Sequence, residues 1–261
     1  MTIYLPPSAR HFEPSWSKMS TWLDHVPFAY DLIAAIQPKL LVELGTHTGV
    51  SYFAFCQSIK DHDIDALCYA VDTWEGDDHV TLTKSYEEHI YDMVSQHNQQ
   101  CYRDFSYLLR MFFSEALKTF SDESIDLLHI DGYHTYEAVS EDFNSWFPKV
   151  KPGGIILMHD IAARISSDFG VWKFWEEISG DYESFAFTNG YGLGVIRKPG
   201  SDGPKSMLLD LMFKSDPSEK EQLRAFYAHL RELIGFKRKD RFMSEMRNKT
   251  FIGRLKSLLK L

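Results

Sequence analysis

The sequence predicts an α/β fold, a doubly wound and mostly parallel sheet that finishes in an antiparallel hairpin. Two observations carry this. Short apolar runs alternate with helical patterns from Leu40 to His159, the order that yields parallel strands joined by crossover helices. Then YESFAF (182–187) and YGLGVIRK (191–198) flank Thr188-Asn189-Gly190, and Asn-Gly between apolar runs is a strong hairpin signal.

Taken in order, a helical pattern over 20–36 stops ahead of Pro38, where a missing N–H would break it. LLVEL (40–44) reads as a strand ending at Gly45, with a helix through SYFAFCQSI. ALCYAV (66–71) is the next strand and runs into Asp72. Residues 76–106 are polar and His-rich and predict a helical excursion over one sheet edge. LLRMFF (108–113) and IDLLHI (125–130) read as buried strands, each followed by a helical segment. Lys151-Pro152-Gly153-Gly154 predicts a turn into the strand IILMH (155–159). Past the hairpin, Pro217-Ser218 opens a helix with a capping box between Ser218 and Glu221. Leu223, Phe226, Tyr227, Leu230, Leu233 and Ile234 share one face of it, and Gly235 closes it. The expected division is one domain over 1–200, with an N-terminal helical segment at 15–36, and a helical extension over 201–261.

Composition excludes several classes. A 44% hydrophobic, 25% charged chain of 261 residues has the makings of a full-sized core. Its net charge of −9 argues against nucleic acid as a partner, since phosphate contacts need an excess of Lys and Arg. Cys56, Cys68 and Cys101 form no C-x-x-C pair, which reads as free thiols in a reducing, cytoplasmic setting. One stretch departs from the body: 237–261 holds nine basic residues against Asp240 and Glu245, a net +7 that leaves the remainder at −16.

Four stretches carry chemistry. In VELGTHTGVSYF, Glu43 ends a strand, Gly45 permits a sharp turn and Gly49 lets a helix begin with free N–H groups facing a ligand. The spacing Glu-x-Gly-x-x-x-Gly differs from the Gly-x-Gly-x-x-Gly of dinucleotide sites. It suits a cationic, phosphate-free ligand such as S-adenosylmethionine, with Thr46 and Ser51 in the same loop. In YAVDTWEGD, Asp72 is placed to accept both ribose hydroxyls of a nucleoside, beside Thr73 and Trp74, although Asp and Thr also cap helices. Ser114-Glu115, at the end of the third strand, stand where an adenine edge could be read, or where a helix is merely capped. The fourth stretch is IDLLHI followed by Asp131-Gly-Tyr-His134, together with His159-Asp160 after IILMH. Ligands of doubly wound sheets bind beyond the carboxyl ends of the strands, so two carboxylates and two imidazoles should converge there.

On these motifs, VELGTHTGVSY, VDTWEGD, HIDGYHTYEAV and GGIILMHD, the chain over about 15–198 resembles the class I S-adenosylmethionine-dependent methyltransferases. It is most similar to a bacterial branch (methyltransferase family 24-like) found beside glycosyltransferases of surface-polysaccharide assembly. The resemblance implies a Rossmann-like, seven-stranded sheet with its last strand antiparallel, and O-methylation of a sugar hydroxyl in a glycan acceptor. Some related sugar O-methyltransferases bind magnesium through an Asp at the end of the fourth strand and an acidic pair after the fifth. By that likeness Asp131 and Asp160 would hold a divalent ion (Mg or Mn). His159, standing where an acid would be, speaks against hard magnesium.

The expected mechanism gives His134 the role of general base, with Asp131 and Asp160 orienting it, binding a sugar diol or sharing a cation. The acceptor could be covered by the 76–106 excursion, with His79, His89 and His97, or by 168–178, where Trp172 and Trp175 could stack on a sugar. The tail's Phe251, Ile252, Leu255, Leu258 and Leu259 oppose basic residues. Such a segment lies on an anionic membrane surface, docks on a partner such as a glycosyltransferase, or packs on its own subunit or a second copy in a homo-oligomer. Rival readings are a nicotinamide-dependent oxidoreductase, a non-catalytic scaffold, and transfer to nitrogen or a small-molecule hydroxyl.

Overall fold

The computed structural model describes residues 5–76, 84–201 and 203–235. Its centre is a seven-stranded sheet in the order β3-β2-β1-β4-β5-β7-β6. The strands are β1 (Leu40–Leu44), β2 (Leu67–Asp72), β3 (Ser106–Arg110), β4 (Ile125–Ile130), β5 (Val150–His159), β6 (Glu183–Phe187) and β7 (Leu193–Arg197). The first five are parallel; β7 runs antiparallel to both β5 and β6. The order reverses between β1 and β4, so the crevice beyond their carboxyl ends is where a ligand should sit.

Side chains alternate across this sheet as a pleated strand requires. Leu41, Leu127, Ile155, Leu157 and Val195 face one core, which also takes α2 (Val26–Ile36), α3 (Val50–Asp61) and α4 (Lys84–Cys101). Val42, Leu44, Leu128, Ile130, Ile156 and Ile196 face the other, with α6 (Tyr136–Trp146) and α7 (Val171–Ile178). The short helices α1 (Ser8–His11) and α5 (Phe113–Ala116) complete the N-terminal arm and the β3–β4 connection. After the sheet, α8 (Met207–Phe213) and α9 (217–235) return to the first core, where Leu208, Leu209, Met212, Leu223 and Tyr227 are buried. The sequence reading did not anticipate α8.

Several boundaries differ from expectation for local reasons. The 20–36 pattern divides into a 3₁₀ turn, Thr21–Asp24, and α2, whose first turn contains Pro27. The third strand begins earlier and ends at Arg110, paired with the last residue of β2. Met111 N–H then bonds to Asp72 and Phe112 N–H to Glu115, so the apolar Met111-Phe112-Phe113 leaves the sheet. The Lys151–Gly154 stretch lies within β5: Gly153 at φ 77° donates to Lys198, and Lys198 donates back to Gly154. The capping box of α9 is Asp216 with Glu219, two residues before the expected pair. Leu233 points outward, 56% exposed. His79 and the basic tail 237–261 lie outside the described residues, and no described helix is long and apolar enough to cross a membrane.

Candidate active site

A cavity of about 420 Å³ opens beyond the ends of β1, β2, β4 and β5, within the range of small-molecule sites, roughly 300–1,000 Å³. Its floor begins at Gly45. At φ 84° this residue adopts a conformation open to glycine, and a Cβ there would lie 2.0 Å from the Asp131 carbonyl oxygen. That close approach brings the β1 and β4 ends together. Gly45 N–H donates to Val71 and Asp131 N–H to Leu44, extending the parallel ladder to the cavity edge.

Asp72 holds the loop that follows. Its Oδ2 accepts the backbone N–H groups of Thr46 and His47, each at 2.8 Å, and its Oδ1 accepts that of Trp74 at 2.7 Å. A carboxylate has about four lone-pair sites, so one remains for a ligand hydroxyl. The anticipated grip on two hydroxyls is therefore reduced to one. Trp74 and Trp16 donate from their indoles to the carbonyls of His47 and Thr48, which pins the loop from outside. Three wall residues, His47, Trp74 and Asp160, hold positive φ (43°, 49° and 63°), uncommon for residues with a Cβ and a frequent mark of sites.

Of the residues expected to hold a cofactor, Gly45, Thr46, Ser51, Asp72, Thr73, Trp74 and Asp131 line the cavity. Glu43, Gly49, Ser114 and Glu115 do not. Gly49 caps α3 at φ 76°. Glu115 accepts the Phe112 N–H at 3.1 Å, which is capping and not recognition, and Phe112 with Phe113 takes its place on the wall. Glu43 is fully buried beneath the floor. Burial raises its pKa, opposed by a 2.8 Å hydrogen bond with His129 Nδ1. Trp22 donates its indole N–H to His129 Nε2 at 3.2 Å, so His129 must carry its proton on Nδ1 and donate it to Glu43.

That chain ties the N-terminal arm to the sheet, and Ser20, Thr21 and Trp22 form a wall the sequence reading missed. An ordinary amphipathic pattern hid them, as it hid Tyr133. In contrast, Thr46 Oγ1 is buried in the wall without a hydrogen-bond partner, an unmet polar group of the kind a bound ligand satisfies.

The four expected catalytic residues do converge. His134 Nε2 is 2.9 Å from Asp160 Oδ2, and His159 Nδ1 lies 3.2 Å from Asp131 Oδ1 and 3.4 Å from Asp160 Oδ2. On its far side His159 Nε2 donates to the Gly190 carbonyl at 2.9 Å. Burial alone would lower the His159 pKa, but the Asp131 and Asp160 carboxylates overcome it and hold it at about 10. Burial would raise Asp160, but hydrogen bonds from His134 and His159 hold it well below the carboxylate range. His25, also near Gly190, is pushed down to about 3 by burial and by His159. Phe169 stacks on His134, centroids 4.7 Å apart. It is the point where 168–178 meets the site, since Trp175 is buried against Gly194 and Trp172 stacks beneath Arg164. His97 stacks on Trp16, and His89 is exposed on α4.

Asp131, His134 and Asp160 offer ligand atoms within 4.8 Å of one another. The donor set nonetheless suits a divalent ion poorly, because the interval between the two carboxylates is already spanned by His159 Nδ1.

With this geometry in view, comparison with known proteins is informative. Residues 42–161 match the family model described as a methyltransferase domain, the segment that runs from within β1 to just past β5 and carries every expected catalytic residue. The chain is similar to an uncharacterized protein of Sinorhizobium fredii, 45% identical over 192 residues, covering 74% of this chain and 20% of the relative. A protein of Acanthamoeba polyphaga mimivirus is 30% identical over 125 residues, 46% of this chain and 50% of that one. The chain thus spans a fifth and a half of these relatives. Among solved structures, the O-methyltransferase TomG of Streptomyces achromogenes, in complex with SAM, aligns at TM-score 0.51 and 13% identity over 72% of this chain and 83% of that one. The SAH-bound methyltransferase PaMTH1 of Podospora anserina aligns at TM-score 0.51 and 15% identity over 67% and 78%. Residues 42–161 are thus similar to a methyltransferase domain, and the chain has the Rossmann-like fold of these solved methyltransferases.

Proposed function

We propose that the protein is an S-adenosylmethionine-dependent O-methyltransferase whose acceptor is a sugar hydroxyl of a surface polysaccharide or glycoconjugate. The observation that carries the reading is the convergence of His134, Asp131 and Asp160 at the cavity's end, next to the loop 45–51.

Gly45, Thr46 and Ser51, with the free N–H groups at the start of α3, would hold the amino-acid portion of the cofactor; Asp72, Thr73 and Trp74 would hold the nucleoside. When bound, S-adenosylmethionine supplies an electrophilic methyl on a sulfonium. The protein's own part is alignment and proton removal, because in-line displacement depends chiefly on placement. Among the four groups, His159 donates from Nε2 to the Gly190 carbonyl while its Nδ1 faces the two carboxylates, and Asp160 is strongly stabilised as an anion. His134 is therefore the base. With Nε2–H donated to the Asp160 carboxylate, the neutral ring carries its lone pair on Nδ1; an acceptor hydroxyl would give up its proton there, and Asp160 stabilises the resulting imidazolium. Ser20, Thr21, Asp131 and Tyr133 surround this point with polar groups, and Trp22 and Phe112 add aromatic faces, a combination suited to a sugar.

Two measurements test this. Calorimetry should show S-adenosylhomocysteine binding, and mass spectrometry of the host's surface glycan should show one methyl fewer per repeat or chain end without the protein. Absence of binding would remove the enzyme reading; binding with an unchanged glycan would remove the sugar acceptor alone.

A further inference from the structure

We propose that the rim of the catalytic cavity is a membrane-docking face, seated on an anionic bilayer through Met19, Phe112, Ile165 and Tyr191, and that the acceptor is a lipid-linked glycan rising from that bilayer into the opening. The second half rests on the function proposed above; the first rests on exposure and placement.

Among the described residues nine large apolar side chains are exposed. Scattered singly over a surface they would need no explanation. Four of them instead border one opening. Met19, 96% exposed, precedes Ser20, the first residue of the arm wall, and Phe112, 62% exposed, is itself part of the wall. Ile165 (61%) belongs to the loop leaving Asp160, and Tyr191 (45%) is next to Gly190, whose carbonyl meets His159. Three of these segments touch one another. Ala162 N–H donates to the Tyr191 carbonyl at 2.8 Å, and a Cβ on Gly190 would lie 2.7 Å from the Thr21 carbonyl oxygen. Phe112 follows β3, on the other side of β1 and β4 in the sheet order, so the apolar tips stand on both sides of the cavity. Apolar groups gathered round a polar site mark a surface that meets something apolar.

The shape of the rim selects a bilayer over a protein. Each tip projects from its own turn, with the cavity opening between them. A second copy seated across these tips would close the opening. A bilayer accepts separate apolar protrusions and still offers the opening a single head group.

Chain direction selects the sign of that bilayer. α9 runs from β6, where Arg224 donates to the Ala186 carbonyl at 2.6 Å, to the 3₁₀ turn, where Arg231 meets Asp24 at 3.5 Å. At Gly235, one turn further, the described chain ends beside this rim, and the sequence continues with 237–261, net +7. The described rim carries both signs, Lys18 beside Met19 and Arg164 beside Ile165 against Asp24 and Glu176. The described residues therefore give apolar contact, and 237–261 gives attraction to anionic lipid.

Co-sedimentation of the full chain with phosphatidylcholine–phosphatidylglycerol vesicles tests the face, with phosphatidylcholine vesicles as the comparison. The protein should pellet with the mixed vesicles, and less with phosphatidylcholine alone. Met19→Ser and Ile165→Ser, both at exposed positions outside the cavity wall, should each weaken partitioning by about tenfold, the worth of one apolar side chain returned to water. No association with the mixed vesicles overturns the proposal. So does association that both substitutions leave unchanged, which would assign it to 237–261 alone. A dimer that the two substitutions dissociate in analytical ultracentrifugation also overturns it, by making the rim a contact between copies. S-adenosylhomocysteine binding, measured by calorimetry on the same samples, bears on the proposed function and not on the docking face.

Discussion

At the scale of single residues, the site separates four titratable groups into roles by what each one touches. On the proposed function, His134 is the group that takes the proton. Its replacement in His134→Ala should lower turnover by about 10²–10⁴-fold, the usual worth of a general base, while S-adenosylhomocysteine affinity stays within a few-fold by calorimetry. Normal turnover would assign the base elsewhere. His159 makes a pH prediction whose sign can be worked out. Its folded pKa of about 10 lies above an unfolded value near 6.5, so its stabilisation is complete below about pH 6.5 and fades as pH rises toward 10. The melting-temperature gap between the unaltered protein and His159→Gln should therefore shrink between pH 7 and 10. A gap that stays constant over that range would contradict the assigned shift.

At the scale of elements, the glycine turn after β1 and the 3₁₀ turn before α2 decide whether the cavity exists. Gly45→Ala meets both a left-handed φ and the Asp131 carbonyl. It should destabilise by more than the ~1 kcal/mol by which such a change stabilises a compatible site, read by urea unfolding. Trp22→Phe keeps a ring against Phe55 but strips His129 Nε2 of its donor. A buried acceptor left unmet costs about 1–3 kcal/mol, so the same assay should show that loss. These elements also show what could be read beforehand. Strands β1, β2 and β4 were legible because each is an apolar run with a glycine or acid at its end. Phe112 and Phe113 were not, since their apolarity continues the β3 pattern and only the Glu115 cap diverts them. Ser20 to Trp22 were not legible because their partner, His129, is about a hundred residues away. Asp131, His134, His159 and Asp160 were, since strand ends in such a sheet share one edge.

At the scale of the whole molecule, the chain's two flanks meet on one buried acid. Asp31 of α2 accepts from Ser8 N–H at 2.8 Å, from the Ser8 hydroxyl, and from Tyr227 of α9 at 3.0 Å. Burial nevertheless raises its pKa to about 6. Ser8→Ala and Tyr227→Phe should therefore be non-additive, with a coupling of about 0.5–3 kcal/mol, because they share a partner. Strict additivity in a double-mutant cycle would show the arm and α9 to be held independently.

The turn joining β6 to β7 lends this arrangement an unexpected lever. It sits thirty residues beyond Asp160 and fifty-nine beyond Asp131, yet its Gly190 peptide oxygen holds a proton on Nε2 of the buried imidazole. Trimming that connection to a minimal two-residue bend would withdraw the oxygen and release that ring nitrogen from its partner, so the Nε2 proton would no longer be held in place. Variation in that loop would then be felt as altered acidity beside Asp131 and Asp160, far from it in the chain.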